Sequence, residues 1–348
     1  MSIGLVILAR GIGSAANPAP VTRPEQMVAK FQDGNGGVTL YKTDRYGAGT
    51  EAVDPLGRRV VTTRDEHGNP IQTTQPNGAV IGYTFDAKGN MLNVREGVGT
   101  ALERTRAFEY DPVFNLVTKI TDAGGFATTI EHDAKGNVTK ITDPNNGSKS
   151  FTYNNRGQVL TIVDELGRTT TFTYDAKGNP QTVVDPLGVV TELERNAAGE
   201  ITGLIQAKGG ALQRKTTSVY DAMNRRLSMT DAAGSVETYV YDAEGNLVES
   251  KLPTGETYRN EYDGVNRTSK TISPIEGTTQ FFYDGAGNVV RMTDATGATT
   301  FIRYDAVNRL VQITDPISGT LRFTYDVQDN LLSSEDARGK ITRYEYDI

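Results

Sequence analysis

Apolar and polar positions alternate in short runs along most of the chain. Phe172 and Tyr174 are two residues apart, so on a strand they share one face, and the intervening Thr173 faces the other way. Such alternation is typical of a half-buried strand. The pattern therefore predicts many short strands, each with one mainly apolar and one mainly polar face.

Two kinds of turn separate the predicted strands. Asp-Ala-Lys-Gly-Asn at 175–179 favours a tight turn, because Asp can accept hydrogen bonds from the backbone ahead and Gly or Asn tolerates the left-handed conformation. The next apolar run, around Val183, closes the hairpin. Asp-Pro-Leu-Gly at 185–188 then reverses the chain, with Pro fixing φ and Gly relaxing the fourth position. One unit is therefore two strands and two turns.

This unit recurs at a fixed spacing, which is the mark of a repeat protein. From Tyr220 onward every step is 21 residues, and about fourteen copies are recognisable. The array is predicted to run from about Val38 to Ile348. The Tyr-Asp anchor falls at Tyr110, His132, Tyr153, Tyr174, Arg195, Tyr220, Tyr241, Tyr262, Tyr283, Tyr304, Tyr325 and Tyr346, with weaker copies at Thr43, Arg64 and Phe85.

Departures from the unit respect its chemistry. Where the first turn lacks Gly it has Asn, the next most tolerant residue for positive φ. These turns carry Asn224-Arg225, Asn266-Arg267 and Asn308-Arg309. Two units are four residues longer, with similar extra segments at 101–104 and 211–214, and we expect longer hairpins there. An ordinary loop insertion is favoured over a binding loop.

Composition excludes several classes of protein. The chain has 37 Gly and 13 Pro among 348 residues, which is too many for a helical protein, and Thr, Val and Tyr favour strands. The absence of Cys excludes disulfides and thiolate sites. With 36 Lys and Arg against 43 Asp and Glu, the net charge of -7 does not favour nucleic acid as a partner. We predict an all-β protein.

The N-terminal residues 1–37 are expected to be an irregular segment, either the remnant of a signal sequence or a linker. The stretch before Ser14-Ala15-Ala16 is apolar, as in a signal peptide, but it has no basic start and Arg10 interrupts it. No apolar run approaches the ~18 residues of a membrane span. Residues 38–348 are predicted to form the repeat array.

The registered Tyr-Asp-x-x-Gly-Asn motif with its downstream Asp-x-x-Gly resembles the YD repeat of Rhs proteins. The same repeat occurs in bacterial wall-associated proteins, in the C component of insecticidal Tc toxins and in teneurins. The resemblance covers roughly Val38 to Ile348. It implies a strip of antiparallel β-hairpins that curls into a spiral, shell-like sheet, and in toxin members the shell encloses a C-terminal toxic domain.

The resemblance implies a non-catalytic shell segment that encloses or presents a toxin domain not present in this chain. The closing segment of such shells, with Asp-Pro-x-Gly-Leu, is missing, and the chain ends within a repeat, so we interpret it as part of an incomplete shell. About 28 strands at ~4.8 Å spacing give a strip of roughly 130 Å, which is too short to enclose a ~100-residue domain. The implied partners are a toxin domain or further repeats of the same polypeptide.

A second hypothesis is an exported surface adhesin that binds carbohydrate or a partner cell-surface protein through exposed Thr, Asn and Tyr side chains. Both hypotheses place the protein outside the bacterial cell or on its surface, with a cytoplasmic stage before delivery as the alternative. Neither requires a cofactor or a membrane span.

Catalytic and metal-binding interpretations have little support. Asp175, Asp185 and their equivalents recur once per turn, as turn-forming residues must, whereas a catalytic pair would break the period. Asp-Ala-Lys-Gly-Asn lacks the alternating ligands of a calcium loop.

His67 and His132 are the two histidines, and neither has a Ser-His-Asp motif beside it. Every Gly belongs to a hairpin, so no phosphate loop is present. The aromatic series is better explained by a Tyr-lined sheet core than by a stacking platform. We therefore assign no catalytic, cofactor-binding or metal-binding residue.

Overall fold

The computed structural model describes residues 2–6 and 26–346, and these form 31 β-strands and no helix. The described part of the chain thus contains no helix able to cross a membrane. The chain divides into two compact units, unit 1 with residues 1–108 and 281–348 and unit 2 with residues 109–280. The predicted all-β strip of repeated antiparallel hairpins is confirmed.

Unit 1 is built from the strands at both ends of the chain. The first group is β1 Ser2–Val6, β2 Gln26–Gln32, β3 Val38–Asp44, β4 Gly49–Val53, β5 Arg59–Arg64, β6 Pro70–Thr74, β7 Val80–Phe85, β8 Met91–Glu96 and β9 Arg104–Tyr110, which ends in unit 2. The second group, numbered after the strands of unit 2, is β26 Val289–Thr293, β27 Thr299–Tyr304, β28 Leu310–Thr314, β29 Thr320–Tyr325, β30 Leu331–Glu335 and β31 Ile341–Arg343.

Unit 2 is an uninterrupted run of hairpins. Its strands are β10 Val117–Thr121, β11 Ala127–His132, β12 Val138–Thr142, β13 Ser148–Tyr153, β14 Val159–Val163, β15 Thr169–Tyr174, β16 Pro180–Val184, β17 Val190–Arg195, β18 Ile201–Gln206, β19 Arg214–Tyr220, β20 Arg226–Thr230, β21 Val236–Tyr241, β22 Leu247–Lys251, β23 Thr257–Tyr262, β24 Thr268–Ser273 and β25 Gly277–Tyr283, which ends in unit 1.

Neighbouring strands pair antiparallel, and hairpins closed by a first turn share an irregularity. In the hairpin of β15 and β16, Thr173 lies opposite Thr182 but Tyr174 lies opposite Pro180, so one residue of β16 is unpaired. The same register shift precedes the Tyr position in other hairpins, for example at Tyr153 and Tyr325. A β-bulge of this kind increases the local twist of a sheet. The repeat therefore encodes a regular bend at every first turn.

The sheet is a single layer without a second layer to bury its faces. Among the described residues, Ile205 is the one buried hydrophobic side chain, with 8% exposure. One face carries half-buried cross-strand pairs such as Phe172 with Val183. On the other face the hydroxyls of Thr173 and Thr182 are 2.6 Å apart. Stability must come from many such pairs, each contributing roughly 0.2–1 kcal/mol.

The N-terminal segment differs from the expected irregular stretch. Strands β1 and β2 pair antiparallel, with Ser2 opposite Gln32, and β2 pairs with β3. The sheet thus begins before Val38. Met27, Ala29 and Phe31 lie two residues apart, which is the spacing of one strand face, but this strand lacks the Tyr-Asp anchor. The expected signal remnant or linker at 7–25 lies outside the described residues.

Candidate functional site at the turn edges

The first turn of each unit is organised by its aspartate. Asp175 Oδ1 accepts a hydrogen bond from the backbone N–H of Asn179 at 2.9 Å, and Asp175 Oδ2 accepts one from the Asn179 side-chain amide at 2.9 Å. Asp65 and Asp133 bind Asn69 and Asn137 in the same way. The five residues from Asp to Asn are here called the YD turn.

Arginine replaces the fifth residue of the YD turn without loss of the aspartate contact. In the Asn-Arg turns, Nε of Arg225 donates to Asp221 Oδ2 at 2.7 Å, and Arg309 donates to Asp305 at the same distance. The fourth residue is left-handed in both kinds of turn, with φ of 94° at Gly178 and 62° at Asn224. The predicted exchange of Gly for Asn is therefore confirmed.

The hydrogen bonds of the YD turn stabilise the charged aspartate. The side-chain amide of Asn179, followed by backbone N–H groups, lowers the pKa of Asp175 below its ordinary value. Side-chain amides likewise lower the pKa of Asp86 and Asp242. These carboxylates serve as acceptors for their own turns, which agrees with the structural role expected from their periodicity.

In six repeats of the described chain, the anchor tyrosine joins consecutive repeats. Its hydroxyl donates a hydrogen bond to the carbonyl oxygen of the first residue in the return strand of the preceding repeat. The six contacts are Tyr153 to Val138 at 2.7 Å, Tyr174 to Val159 at 2.8 Å, Tyr220 to Ile201 at 3.1 Å, Tyr262 to Leu247 at 2.9 Å, Tyr325 to Leu310 at 2.7 Å and Tyr346 to Leu331 at 3.1 Å. The tyrosines are half-buried along the sheet and do not form a closed core.

The fifth residue of a YD turn also contacts the next YD turn. Arg225 donates from Nη1 to the carbonyl of Asp242 at 2.9 Å, and its guanidinium lies 5.0 Å from the ring centre of Tyr241. Where the fifth residue is Asn instead of Arg, the shorter side chain makes a similar contact: the amide of Asn246 donates to Asn266 Oδ1 at 3.0 Å. Within each of the two compact units, successive YD turns thus form a linked row, here called the YD edge.

The second turns form the opposite edge of the strip. Asp185 Oδ1 accepts backbone hydrogen bonds from Leu187 and Val189 at 2.9 and 2.8 Å, and Gly188 has a φ of 80°, as predicted for this turn. The third residue is often a large apolar side chain that points into solvent. Leu187 is 88% exposed and Ile317 is 89% exposed. We call this row the second-turn edge.

Within unit 1, the second-turn edge of the N-terminal strands contacts the YD edge of the C-terminal strands. The Asn35 amide donates to Asp284 Oδ2 at 2.8 Å across 249 residues, and the backbone N–H of Ala286 donates to Asn35 Oδ1 at 3.2 Å. A Cβ at Gly34 would overlap the backbone carbonyl of Gly285, and a Cβ at Gly285 would overlap that of Gly34. Glycine at both positions allows the two backbones to touch.

A second contact lies one repeat further on. Arg58 donates from Nη1 to Asp329 Oδ1 at 2.7 Å and to the Val327 carbonyl at 3.2 Å, across about 270 residues. Arg309 donates to the same oxygen of Asp329 at 2.8 Å. We call the meeting of turns 33–37 and 54–58 with turns 284–288, 305–309 and 326–330 the return contact.

A cavity of about 620 Å³ adjoins the return contact. Phe31, Tyr41 and Val60 line it from the strands, and Asp54 and Asp329 line it from the turns. Asp54 and Asp329 already bind Arg58. The charged groups named here are therefore paired with each other, which is typical of a structural contact.

The candidate catalytic residues considered from sequence lie apart from the return contact. His67 is an exposed residue of a YD turn, and His132 occupies the Tyr position at the end of β11. Neither imidazole forms a hydrogen bond in the part of the chain that the structure describes, so no Ser-His-Asp arrangement surrounds them there. The same part of the chain holds no group of three or more acidic or imidazole side chains that could bind a metal.

In each of the two longer repeats, one second turn and the two strands that flank it are longer than usual. Residues 97–103 and 207–213 form seven-residue loops in place of the usual five, and the flanking strands each gain one residue, as expected for longer hairpins. The loops are equivalent: the N–H of Gly99 donates to the Glu103 side chain, and that of Gly209 donates to the Gln213 side chain. Backbone hydrogen bonds also tie each loop to a neighbouring strand.

Sequence reasoning missed the return contact, because its partners are some 250 residues apart. One signal was present. The YD turn at 326–330 reads Asp-Val-Gln-Asp-Asn, so Asp329 stands where the other first turns have Gly or Asn. The departure of this one turn from the pattern of the others was the sequence signal of a second role for Asp329.

A single-layer sheet of registered Tyr-Asp hairpins, joined by tyrosine hydroxyls and edge contacts, defines a YD-repeat protein. The Teneurin YD-shell family model matches residues 116–284, and the RHS Repeat model matches residues 64–101 and 304–334. These matches identify repeats of the Rhs/YD type in the matched residues of the chain. Its role is that of a structural, shell-type protein.

Solved structures show the same fold. The crystal structure of TcdB2-TccC3 without its hypervariable C-terminal region is similar with a TM-score of 0.54 and 16% identity, covering 90% of this chain and 19% of that chain. The crystal structure of TcdB2-TccC3 gives a TM-score of 0.53 and 16% identity, covering 88% and 20%. This chain spans about a fifth of those chains. No curated protein sequence matches it as a relative.

Proposed function

We propose that this chain is a wall section of an Rhs-type shell that encloses or presents a toxin domain carried by the same polypeptide. The return contact is the observation that carries the proposal. In unit 1 the two edges of the strip meet through backbone, amide and ion-pair contacts, so exposed turns on one edge cover those of the other. Edge joining of this kind is what a continuous wall made from a narrow strip requires.

The chemistry of the strip also suits containment rather than catalysis. Its aspartates are occupied by turn hydrogen bonds, and its tyrosine hydroxyls by neighbouring repeats. The partners in this proposal are further repeats and the enclosed domain. The polypeptide would act outside the producing cell after export. One of the similar structures lacks a hypervariable C-terminal region, which is the kind of segment that a shell of this family would hold.

The proposal can be tested by limited proteolysis of the longest natural polypeptide that contains these repeats. We expect any polypeptide that follows the repeats to resist protease while the repeats are intact. The same polypeptide produced separately, as the matched control, should be digested. Equal digestion in the two samples would contradict containment, and carbohydrate binding by the repeats with an unprotected downstream segment would favour the adhesin instead.

A further inference from the structure

Asp329 occupies a conformation that the other YD turns reserve for Gly or Asn. Its φ is 70°, and the equivalent residues at 224, 266 and 308 are Asn, while those at 178, 245 and 287 are Gly. A left-handed Asp is tolerated but less favourable than Gly. The Asp329 side chain makes contacts that no Gly at this position could make.

Those contacts come from two different parts of unit 1. Arg309, from the preceding YD turn, and Arg58, from a second turn near the N-terminus, both donate to Asp329 Oδ1. The arginine side chains are largely shielded, with 15% exposure for Arg58 and 18% for Arg309. The hydrogen bond from Arg58 has the largest effect on the Asp329 pKa and lowers it. Desolvation acts in the opposite direction, but the charge of Arg58 lowers the pKa further, so the net shift is downward. One carboxylate thus bridges two arginines, each of which also pairs with the aspartate of its own turn.

Unit 2 contains a copy of the Arg58 turn that has no such partner. Asp164-Glu165-Leu166-Gly167-Arg168 has the same form as Asp54-Pro55-Leu56-Gly57-Arg58, and each arginine donates from Nε to its own aspartate. Arg168 is 61% exposed, and Asp164 is its one hydrogen-bonded acceptor among the described residues. An Asp-x-x-Gly-Arg turn therefore forms without contact to a distant turn. What distinguishes Arg58 is its contact with Asp329.

We infer that Asp329 is the register-determining residue of an edge-docking surface, and that this surface selects a second turn with arginine in its fifth place. The surface consists of the turns 305–309 and 326–330. A shift of the docked edge by one repeat would place Asp33-Gly34-Asn35-Gly36-Gly37 against Asp329, and that turn ends in Gly37, which has no charged side chain. Arg58 would then lose Asp329, whereas Arg309, which lies on the same edge as Asp329, would keep it. This inference does not depend on whether the wall encloses a toxin.

Asp329→Asn in the full chain tests the inference, because Asn suits the left-handed position and removes only the charge. Hydrogen exchange measured by mass spectrometry should be about three- to ten-fold faster at the turn amides of 54–58 and 33–37. Exchange in a YD turn outside the return contact, such as Asp175 to Asn179, should be unchanged. A residue with a purely local role would instead leave both distant turns protected.

A matched pair of arginine variants approaches the same contact from the other side. Arg58→Met and Arg168→Met each remove one arginine from an Asp-x-x-Gly-Arg turn, so their local effects should be equal. We expect only Arg58→Met to speed exchange at 326–330, and we expect the double variant with Asp329→Asn to add little to either single one. Equal effects of the two arginine variants on that turn, or full additivity in the double variant, would overturn the inference.

Discussion

The hydroxyl of Tyr174 lies 2.8 Å from the carbonyl oxygen of Val159, the first residue of the return strand in the preceding repeat. The same relationship recurs with a separation of 15 residues at Tyr153, Tyr262 and Tyr325. In a single-layer sheet, these bonds are a means by which one repeat fixes the next. The regular spacing of the motif thus matches a geometric requirement of the repeat itself.

Loss of this hydroxyl should weaken the joint between two repeats. We expect Tyr174→Phe to lower the free energy of unfolding by about 0.5–1.5 kcal/mol, because a half-buried carbonyl loses its donor while the ring remains. Tyr241→Phe is the control, since among the described residues the Tyr241 hydroxyl has no hydrogen bond and its ring packs beneath Arg225. Urea unfolding followed by circular dichroism measures both, and equal stabilities would refute the assigned role of the hydroxyl.

A YD turn that ends in Gly-Asn should be interchangeable with one that ends in Asn-Arg, provided that both residues are exchanged together. Asn179→Ala removes the amide that binds Asp175 Oδ2, and we expect a cost of about 1 kcal/mol. The double change Gly178→Asn with Asn179→Arg recreates the turn found at 263–267, in which Arg267 donates to Asp263 at 2.7 Å. It should retain most of the parent stability in thermal unfolding. A double variant less stable than Asn179→Ala would show that the turns depend on their wider surroundings.

Local chemistry explains why much of this fold was predictable from the sequence. Asp175 and Gly178 act within one five-residue turn, and Asp185 and Gly188 act within another, so their turn bonds and positive φ values follow from residue type and spacing. The period of 21 residues then places each hairpin beside the next. The bulge before Tyr174 could not be predicted in this way, because it depends on the register between two strands.

The contacts that join distant repeats could not be derived from the period. Arg58 and Arg168 occupy the same place in turns of the same Asp-x-Leu-Gly-Arg form, yet one is docked and the other is exposed. The difference depends on which turn lies opposite in the folded chain. Strand β2 was missed for a related reason, because Gln26–Gln32 has the spacing of one strand face but no Tyr-Asp anchor.

Acid should destabilise the whole array. Hydrogen bonds from Asn side chains lower the pKa of Asp65, Asp86, Asp133 and Asp175 in the folded state. Their stabilisation is fully present above the unfolded-state pKa of about 3.9 and is lost as the pH falls through the folded-state pKa. Urea midpoints should therefore decrease steadily below about pH 4.

A variant can isolate one turn from this acid effect. Asp175→Asn keeps an acceptor at the first position, as in the natural turn of Asn154, whose Oδ1 accepts the N–H of Arg156 at 2.9 Å. This variant should lose less stability than the parent between pH 6 and pH 3, since it has one fewer carboxylate to protonate. An unchanged pH dependence would mean that Asp175 does not contribute to acid sensitivity.

Close backbone approach in the return contact predicts a sharp difference between two glycines in the same turn position. Gly285 and Gly264 are both the second residue of an Asp-Gly YD turn, and many equivalent positions are Ala, as at Ala176. A Cβ at Gly264 meets nothing within 4 Å, whereas one at Gly285 overlaps the carbonyl of Gly34. We expect Gly285→Ala to open the return contact, because neither backbone can yield as a flexible side chain could. Hydrogen exchange at Gly36 and Gly37 should become faster in Gly285→Ala and stay at the parent rate in Gly264→Ala. Parent-like exchange in both variants would show that the two edges do not touch in solution.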